Sequence, residues 1–174
     1  MREAAVPGYR LSKARQSTRV LITLGMLGLL LGLLGSIGVT IVRTGIFPSS
    51  VQHYYLGTPI AEQSAGGLDA IMLDTQPRPF GELAEVTHLH VMGGSLMLFL
   101  LCHLLALCEI REGLRTILYV VSFGSFFLTF LMPWLIIYVS SVAAYLYGPF
   151  LILTLISLVL LCLIPLWEMW FSGP

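Results

Sequence analysis

Three of the chain's four histidines lie in one apolar segment, residues 85–108, which is long enough to cross a bilayer. They are His88, His90 and His103, and no Asp, Glu, Lys or Arg falls between residues 86 and 108. An ionisable side chain inside a membrane span costs free energy, so an imidazole placed there is a candidate functional group. The segment therefore predicts a membrane helix that carries a histidine site.

The spacing of His88 and His103 places both on one side of that helix. At 1.5 Å and 100° per residue, they are separated by roughly 22 Å along the axis and by about 60° around it. His90 projects about 200° away from His88. The side that carries His88 and His103 also includes Glu85, Met92 and Phe99. One helix is thus predicted to present an imidazole near each surface of the membrane.

Haem b is the cofactor that these positions favour, because neutral imidazole is a common axial ligand of haem iron. Histidines near the two surfaces would hold one haem each, and electrons would cross the low-dielectric layer in steps. The candidate cofactor-binding residues are His88, His103, His90, Gly93 and Gly94, with His88 and His103 as ligands of the haem iron. Gly93 and Gly94 would let a porphyrin ring approach the backbone. Five glycines of the first apolar segment could do the same: Gly25, Gly28, Gly32, Gly35 and Gly38. Their alternative role is ordinary small-residue helix packing.

The second axial ligands have to come from elsewhere, since the other predicted spans contain no histidine. A symmetric dimer about an axis normal to the membrane would pair His88 with His88 and His103 with His103. Met132 and Met26, which lie at the levels of His88 and His103 on other spans, are alternative ligands. A different subunit of a larger complex is the third source. The sequence leaves these three arrangements open.

Copper is an alternative metal at the start of the segment. His88, His90, Met92 and Met97 offer imidazole and thioether groups, which suit copper. His53, in the preceding loop, could join such a site, although a surface histidine is its simpler interpretation. On a regular helix His88 and His90 point apart, so a shared ion would require the helix to unwind there.

Proton or quinone handling is a third hypothesis, and it rests on Glu82 and Glu85. These carboxylates lie close to His88 and His90 at the predicted outer interface, and such clusters relay protons or hydrogen-bond a quinol. The hypothesis is compatible with haem, because quinol oxidation releases protons beside the electron acceptor. The alternative is that both glutamates are helix-start residues stabilised by the helix dipole.

The composition is that of an integral membrane protein, with 57% hydrophobic and 10% charged residues. The cysteines Cys102, Cys108 and Cys162 lie in or at the ends of predicted spans, and no C-x-x-C-H motif occurs. Neither a disulfide framework nor covalently attached haem is therefore expected. The sequence contains no phosphate-binding loop, nucleophile elbow, zinc-protease pair or nucleic-acid patch. A redox or accessory subunit is favoured over a stand-alone enzyme.

The sequence predicts an all-α fold, an integral membrane four-helix bundle with spans at about 20–42, 85–108, 116–138 and 148–166. A basic tail, residues 1–18, precedes a single membrane domain, residues 19–174. One long external loop, residues 43–84, joins the first two spans, and Pro48 within it predicts the start of a short interfacial helix.

The basic residues predict the orientation of these spans. Seven of the nine fall in the N-terminal tail and in the short turn after the histidine segment: Arg2, Arg10, Lys13, Arg15, Arg19, Arg111 and Arg115. By the positive-inside rule both segments, and hence both termini, are predicted to be cytoplasmic. No cleavable signal peptide is evident. The predicted location is the bacterial inner (cytoplasmic) membrane.

At the histidine segment the chain resembles membrane cytochromes b, including small four-helix di-haem cytochromes. The resemblance implies haem b, electron transport and a bundle fold, but those proteins carry a second histidine pair on another helix, and this chain does not. Three further stretches resemble a set of uncharacterised four-span bacterial membrane proteins: YYLG at 54–57, EVTHLH at 85–90 and PLWEMW at 165–170. That second resemblance supports the architecture and implies no activity.

The predicted function is that of a membrane electron-transfer subunit that binds haem b and passes electrons between a quinone pool and partner redox proteins. Its predicted partners are the lipid bilayer, other membrane subunits or a second copy, a quinone and an external cytochrome, with no nucleic acid. The alternatives are a non-catalytic accessory or scaffold subunit without a cofactor, and a copper-binding membrane protein.

Overall fold

A computed structural model of the chain describes residues 11–57 and 76–171, in which all the regular structure is helical. The parts of the predicted tail and external loop at 1–10 and 58–75 lie outside the described residues. The helices are α1 (Gln16–Arg43), α2 (Pro48–Leu56), α3 (Phe80–Ala106), α4 (Glu112–Tyr138) and α5 (Ala144–Phe171). Short 3-10 turns at Leu11–Lys13 and Ser141–Ala143 precede α1 and α5.

Four of these helices are long and apolar enough to cross a membrane, which confirms the predicted all-α four-span fold. They correspond to α1, α3, α4 and α5, the last continuous with its preceding 3-10 turn. Most of their ends lie beyond the predicted limits, because polar residues such as Glu82 and Glu112 are included in the first turns. α2 begins at Pro48, as predicted for the short helix of the external loop.

The core of the bundle lies between α3, α4 and α5. It is a cluster of buried apolar side chains that includes Leu98, Leu101, Leu105, Leu118, Phe126, Leu158 and Leu161. Buried hydroxyls add contacts between helices, since Thr129 Oγ1 on α4 lies 3.1 Å from Thr154 Oγ1 on α5. Such interhelical hydrogen bonds stabilise membrane bundles by about 0.6 kcal/mol each.

α1 lies at the edge of this core, and Met26 is its one buried residue. A Cβ atom built on any of five α1 glycines would meet no atom within 4 Å: Gly25, Gly28, Gly32, Gly35 and Gly38. These glycines therefore do not bring α1 into close backbone contact with another helix of the described chain. Two of them, Gly28 and Gly32, line a groove between α1 and the core.

The two ends of the bundle are closed by different segments of the chain. At one end, here called the basic end, the amide of Leu11 donates to Leu107 O at 3.2 Å, and Leu11 packs with Cys108 and Met169. The other end, here called the α2 end, is closed by Val51 of α2, which packs with Ile136 and Tyr147. The start of α1, the α3–α4 turn and the end of α5 thus meet at the basic end.

Candidate functional site

The side of α3 that carries His88 and His103 faces away from the bundle core. Both histidines are exposed, and Met92 and Phe99 between them are 63% and 61% exposed. The rings of Phe99 and His103 stack with centroids 6.3 Å apart. Because α3 ends at Ala106, His103 lies in its last turn. The predicted histidine stripe is therefore present on a surface that residues 11–57 and 76–171 leave uncovered.

Neither proposed methionine ligand reaches this surface. Met26 is 2% exposed and packs against the α3–α4–α5 core, while Met132 is 3% exposed and packs near Val51. Within residues 11–57 and 76–171, no hydrogen bond involves the imidazoles of His88 or His103. The second axial ligand of a haem at either position would thus come from a second copy or another subunit.

His90 faces a different part of the molecule, as its angular position predicts. Its Nδ1 lies 2.8 Å from Val86 O, and its ring centroid lies 5.1 Å from that of Phe130 on α4. A carbonyl oxygen can only accept a hydrogen bond, so Nδ1 carries the proton and Nε2 of the neutral ring is an acceptor. The structure thus separates His90 from the stripe of His88 and His103.

His90 lines a cavity at the α2 end, here called the α2-end cavity, with a volume of about 190 Å³. All five helices contribute to its wall, which combines polar and apolar side chains. Its polar lining consists of Ser36, Thr40, Thr44, Tyr54, Tyr55, Arg78, Glu82, Thr87, His90, Thr129 and Tyr147. These residues lie close together only because helices that are distant in sequence meet at this end.

A second cavity of about 440 Å³, here called the glycine groove, adjoins the first one. Ser36, His90, Thr129, Phe130 and Leu151 line both cavities. The glycine groove runs between α1 and the core. Apart from Thr154, its other lining residues are glycine or apolar: Gly28, Leu29, Gly32, Leu33, Leu89, Gly94, Met97, Phe126, Leu155 and Leu158. The two cavities thus share part of their walls, and the glycine groove is the more apolar of the two.

Glu82 and Glu85 have different surroundings. Glu82 lines the α2-end cavity, and its Oε1 lies 2.7 Å from Arg78 Nη1. Arg78 Nε also donates to Tyr54 O at 3.2 Å, which fixes the end of α2 against the start of α3. Glu85 is exposed and does not line this cavity. Of the two predicted carboxylates, only Glu82 therefore lines the α2-end cavity.

Tyr55 and Tyr147 also line the α2-end cavity, and sequence reasoning missed both of them as site residues. Their ring centroids are 6.1 Å apart. Burial, followed by the proximity of Tyr147, raises the pKa of Tyr55 well above its usual value. Tyr55 therefore remains a neutral donor at any physiological pH. No local pattern in the sequence indicated this part of the cavity wall.

Gly93 and Gly94 also have different surroundings. A Cβ built on Gly94 would lie 2.2 Å from Cζ of Phe126, whereas one built on Gly93 would meet nothing within 4 Å. Gly94 thus admits an aromatic ring of the chain itself. Gly93 leaves open space beside Met26 and Leu101 in the shallow groove between α1 and α3.

No group of three or more His, Cys, Asp or Glu side chains in the described part of the chain is arranged to hold a metal ion. His88 and His90 point apart, and His53 is exposed on α2. The cysteines Cys102, Cys108 and Cys162 are buried free thiols. The structure thus brings together His90, Glu82 and the two tyrosines, and it leaves His88 and His103 on a separate surface.

The helices define a multi-span helical membrane protein. The chain belongs to the Aq_1264_TM family, described as a transmembrane helical domain, whose model matches residues 45–174. No curated protein and no solved structure matched the chain. The match confirms a membrane domain with several spans, and the likeness to cytochromes b stays a hypothesis.

Proposed function

We propose that the protein is an electron-transfer subunit of the bacterial inner membrane that binds haem b through His88 and His103. The observation that carries this proposal is the outward position of both imidazoles on one side of α3. An imidazole that faces lipid is unfavourable, so a cofactor or partner that covers this surface would stabilise it. Both histidines lie within the uncharged stretch 86–108, at levels roughly 22 Å apart.

The partner we propose is a second copy of the chain. Around a twofold axis normal to the membrane, the two α3 helices run parallel, so His88 meets His88 and His103 meets His103. Isologous contacts of this kind are the commonest arrangement in homo-oligomers. Met26 and Met132 are buried elsewhere, which favours the dimer over methionine ligation within one chain. A histidine of another subunit would serve equally as the ligand.

The residues of this surface would have three tasks. His88 and His103 would hold the iron, Phe99 would pack beside the His103 ring, and the exposed Met92 would fill the space between the two levels. Haem iron would supply a one-electron couple, whose potential depends on axial ligands and burial. Electrons would pass between a quinone pool and partner redox proteins.

The test is a dithionite-reduced minus oxidised visible spectrum, with a pyridine haemochrome assay, on the detergent-purified protein. We expect a b-type signal and a haem-to-protein ratio near one, since a dimer would share two haems. His103→Ala should remove the signal of one haem, and His88→Ala that of the other. Leu96→Ala, at another exposed position of α3, is the matched control and should retain both signals.

Two results would contradict this proposal. One is equal haem content in the wild type and in both histidine variants. The other is the absence of haem from a folded, dimeric preparation that was expressed with sufficient haem supply. A folded protein without haem would favour a scaffold subunit whose exposed α3 surface packs against another membrane protein.

A further inference from the structure

We propose that the α2-end cavity binds the ring of a quinone or quinol and that the glycine groove holds its apolar tail. This proposal extends the proposed function, because the choice of a quinone over other neutral amphiphiles rests on the electron-transfer role. The two cavities share Ser36, His90 and Phe130 in their walls, so one molecule could extend from the polar cavity into the apolar groove.

The charge of the α2-end cavity favours a neutral ligand. Arg78 is the one basic side chain other than histidine in its lining, and Glu82 neutralises it at 2.7 Å. Arg78 also donates to Tyr54 O and lies over the Tyr54 ring, with Cζ 4.3 Å from the centroid. Its Nε and Nη1 are thus engaged in structural contacts. An anionic phospholipid headgroup would find no unpaired cation in this lining.

The lining offers hydrogen-bonding groups for the oxygens of a quinone or quinol ring. Tyr147 lines the cavity beside Tyr55, and its phenol hydroxyl can donate to a carbonyl oxygen. His90 donates through Nδ1 to Val86 O, which makes Nε2 an acceptor for the hydroxyl of a quinol. A quinone offers the carbonyl and a quinol the hydroxyl. Phe130, beside the His90 ring, adds an aromatic surface for stacking.

The glycine groove suits an unbranched or isoprenoid tail. At Gly28 and Gly32 the α1 backbone itself forms the wall, and no atom lies within 4 Å of where a side chain would begin. The facing residues are apolar, including Phe126, Leu155 and Leu158. Membrane-soluble ligands enter from the bilayer, and this groove lies between helices in the membrane layer. The two cavities together have the size range of small-molecule sites.

The test fills the groove without disturbing the core. Gly32→Leu would place a side chain in the groove, while Gly38→Leu is the matched control on the same helix. Both glycines have open space at the Cβ position, and Gly38 lines neither cavity. The probe is decylubiquinone, titrated into the protein in dodecyl maltoside micelles. The signal is quenching of Trp134, whose Nε1 donates to Thr87 of the cavity wall at 3.0 Å, in a Trp167→Phe/Trp170→Phe background.

We expect saturable quenching, with a dissociation constant raised at least tenfold by Gly32→Leu and unchanged by Gly38→Leu. Tyr147→Phe and His90→Leu should each weaken binding several-fold. Equal quenching in Gly32→Leu and Gly38→Leu would overturn the proposal, because it would report partition into micelles. Loss of quenching upon addition of phosphatidylglycerol, but not phosphatidylcholine, would also overturn it, in favour of an anionic lipid.

This experiment fails separately from the haem test. Decylubiquinone binding is measured by tryptophan fluorescence, which needs no haem. Gly32→Leu should leave haem content unchanged, because it fills a groove that neither His88 nor His103 lines. Haem without quinone binding would refute only the inference about the cavities. Quinone binding without haem would refute only the proposed ligation by His88 and His103.

Discussion

Substitution of Gly94 by alanine is expected to force the ring of Phe126 out of its place in the core. The new Cβ would lie 2.2 Å from Cζ and 2.6 Å from Cε2 of that ring. Carbon atoms in contact lie about 3.5–4.0 Å apart, so the ring would have to move by more than 1 Å. Phe126 is 5% exposed and packs against Phe127 and Phe130, with centroids 5.6 and 5.0 Å away. The ring also lines the glycine groove, so displacing it would break these ring contacts or push the ring into the groove.

The expected cost is that of overpacking a core, about 1–3 kcal/mol. The intrinsic preference of helices for alanine over glycine, about 1 kcal/mol, acts in the opposite direction. Gly93→Ala, one residue earlier on α3, receives the same benefit and meets nothing within 4 Å. The difference in unfolding free energy between Gly94→Ala and Gly93→Ala thus isolates the contact with Phe126, with Gly94→Ala less stable by about 1–3 kcal/mol.

The assay is reversible unfolding in mixed dodecyl maltoside and SDS micelles, followed by circular dichroism. A double-mutant cycle isolates this contact, because Phe126→Leu removes the ring that a Cβ at position 94 would meet. In the Phe126→Leu background the two alanine variants should differ by less than about 0.5 kcal/mol. Equal unfolding of Gly94→Ala and Gly93→Ala in the wild-type background would refute the packing of Phe126 against Gly94.

Two further predictions concern the α2 end and the basic end. Gly148→Ala should destabilise the fold by about 1–3 kcal/mol relative to Gly124→Ala. A Cβ at Gly148 would lie 2.9 Å from the backbone oxygen of Ile46, whereas a Cβ at Gly124 would meet nothing within 4 Å. Equal melting temperatures of the two variants in detergent would contradict this prediction. Burial, and then the proximity of Glu168, raises the pKa of Cys108 to about 12, so its thiol stays protonated at pH 8. In a Cys102→Ala/Cys162→Ala protein, maleimide should label Cys108 at least about 100-fold more slowly than it labels a cysteine placed at the exposed Ser49. The raised pKa of Cys108 leaves little of the reactive thiolate. Comparable labelling rates would show that Cys108 is accessible.

The spans were predictable because each is a continuous apolar segment, and length and hydropathy alone decide whether a helix can cross a bilayer. The start of α2 was also predictable, since Pro48 fixes a local backbone conformation. The angular separation of His88 and His90 followed from the helical repeat. These features depend on residues that are near one another in the chain.

The orientation of α3 in the bundle was not predictable from its sequence. In a membrane, side chains that face lipid and side chains that face the core are both apolar, so the pattern of hydropathy does not distinguish them. Leu98 is fully buried and Phe99 is 61% exposed, although both are large and apolar. The sequence could therefore not decide whether the histidine stripe would face the core.

The candidate sites show the same division. The sequence alone determined that His88 and His103 share one side of a membrane helix and that α1 is rich in glycine. Only the tertiary structure decided that this side is exposed, and that His90 and Glu82 share a cavity with Tyr55 and Tyr147. The reason is physical: the helical repeat fixes angles within one helix, whereas cavities arise between helices, from the way in which their side chains pack.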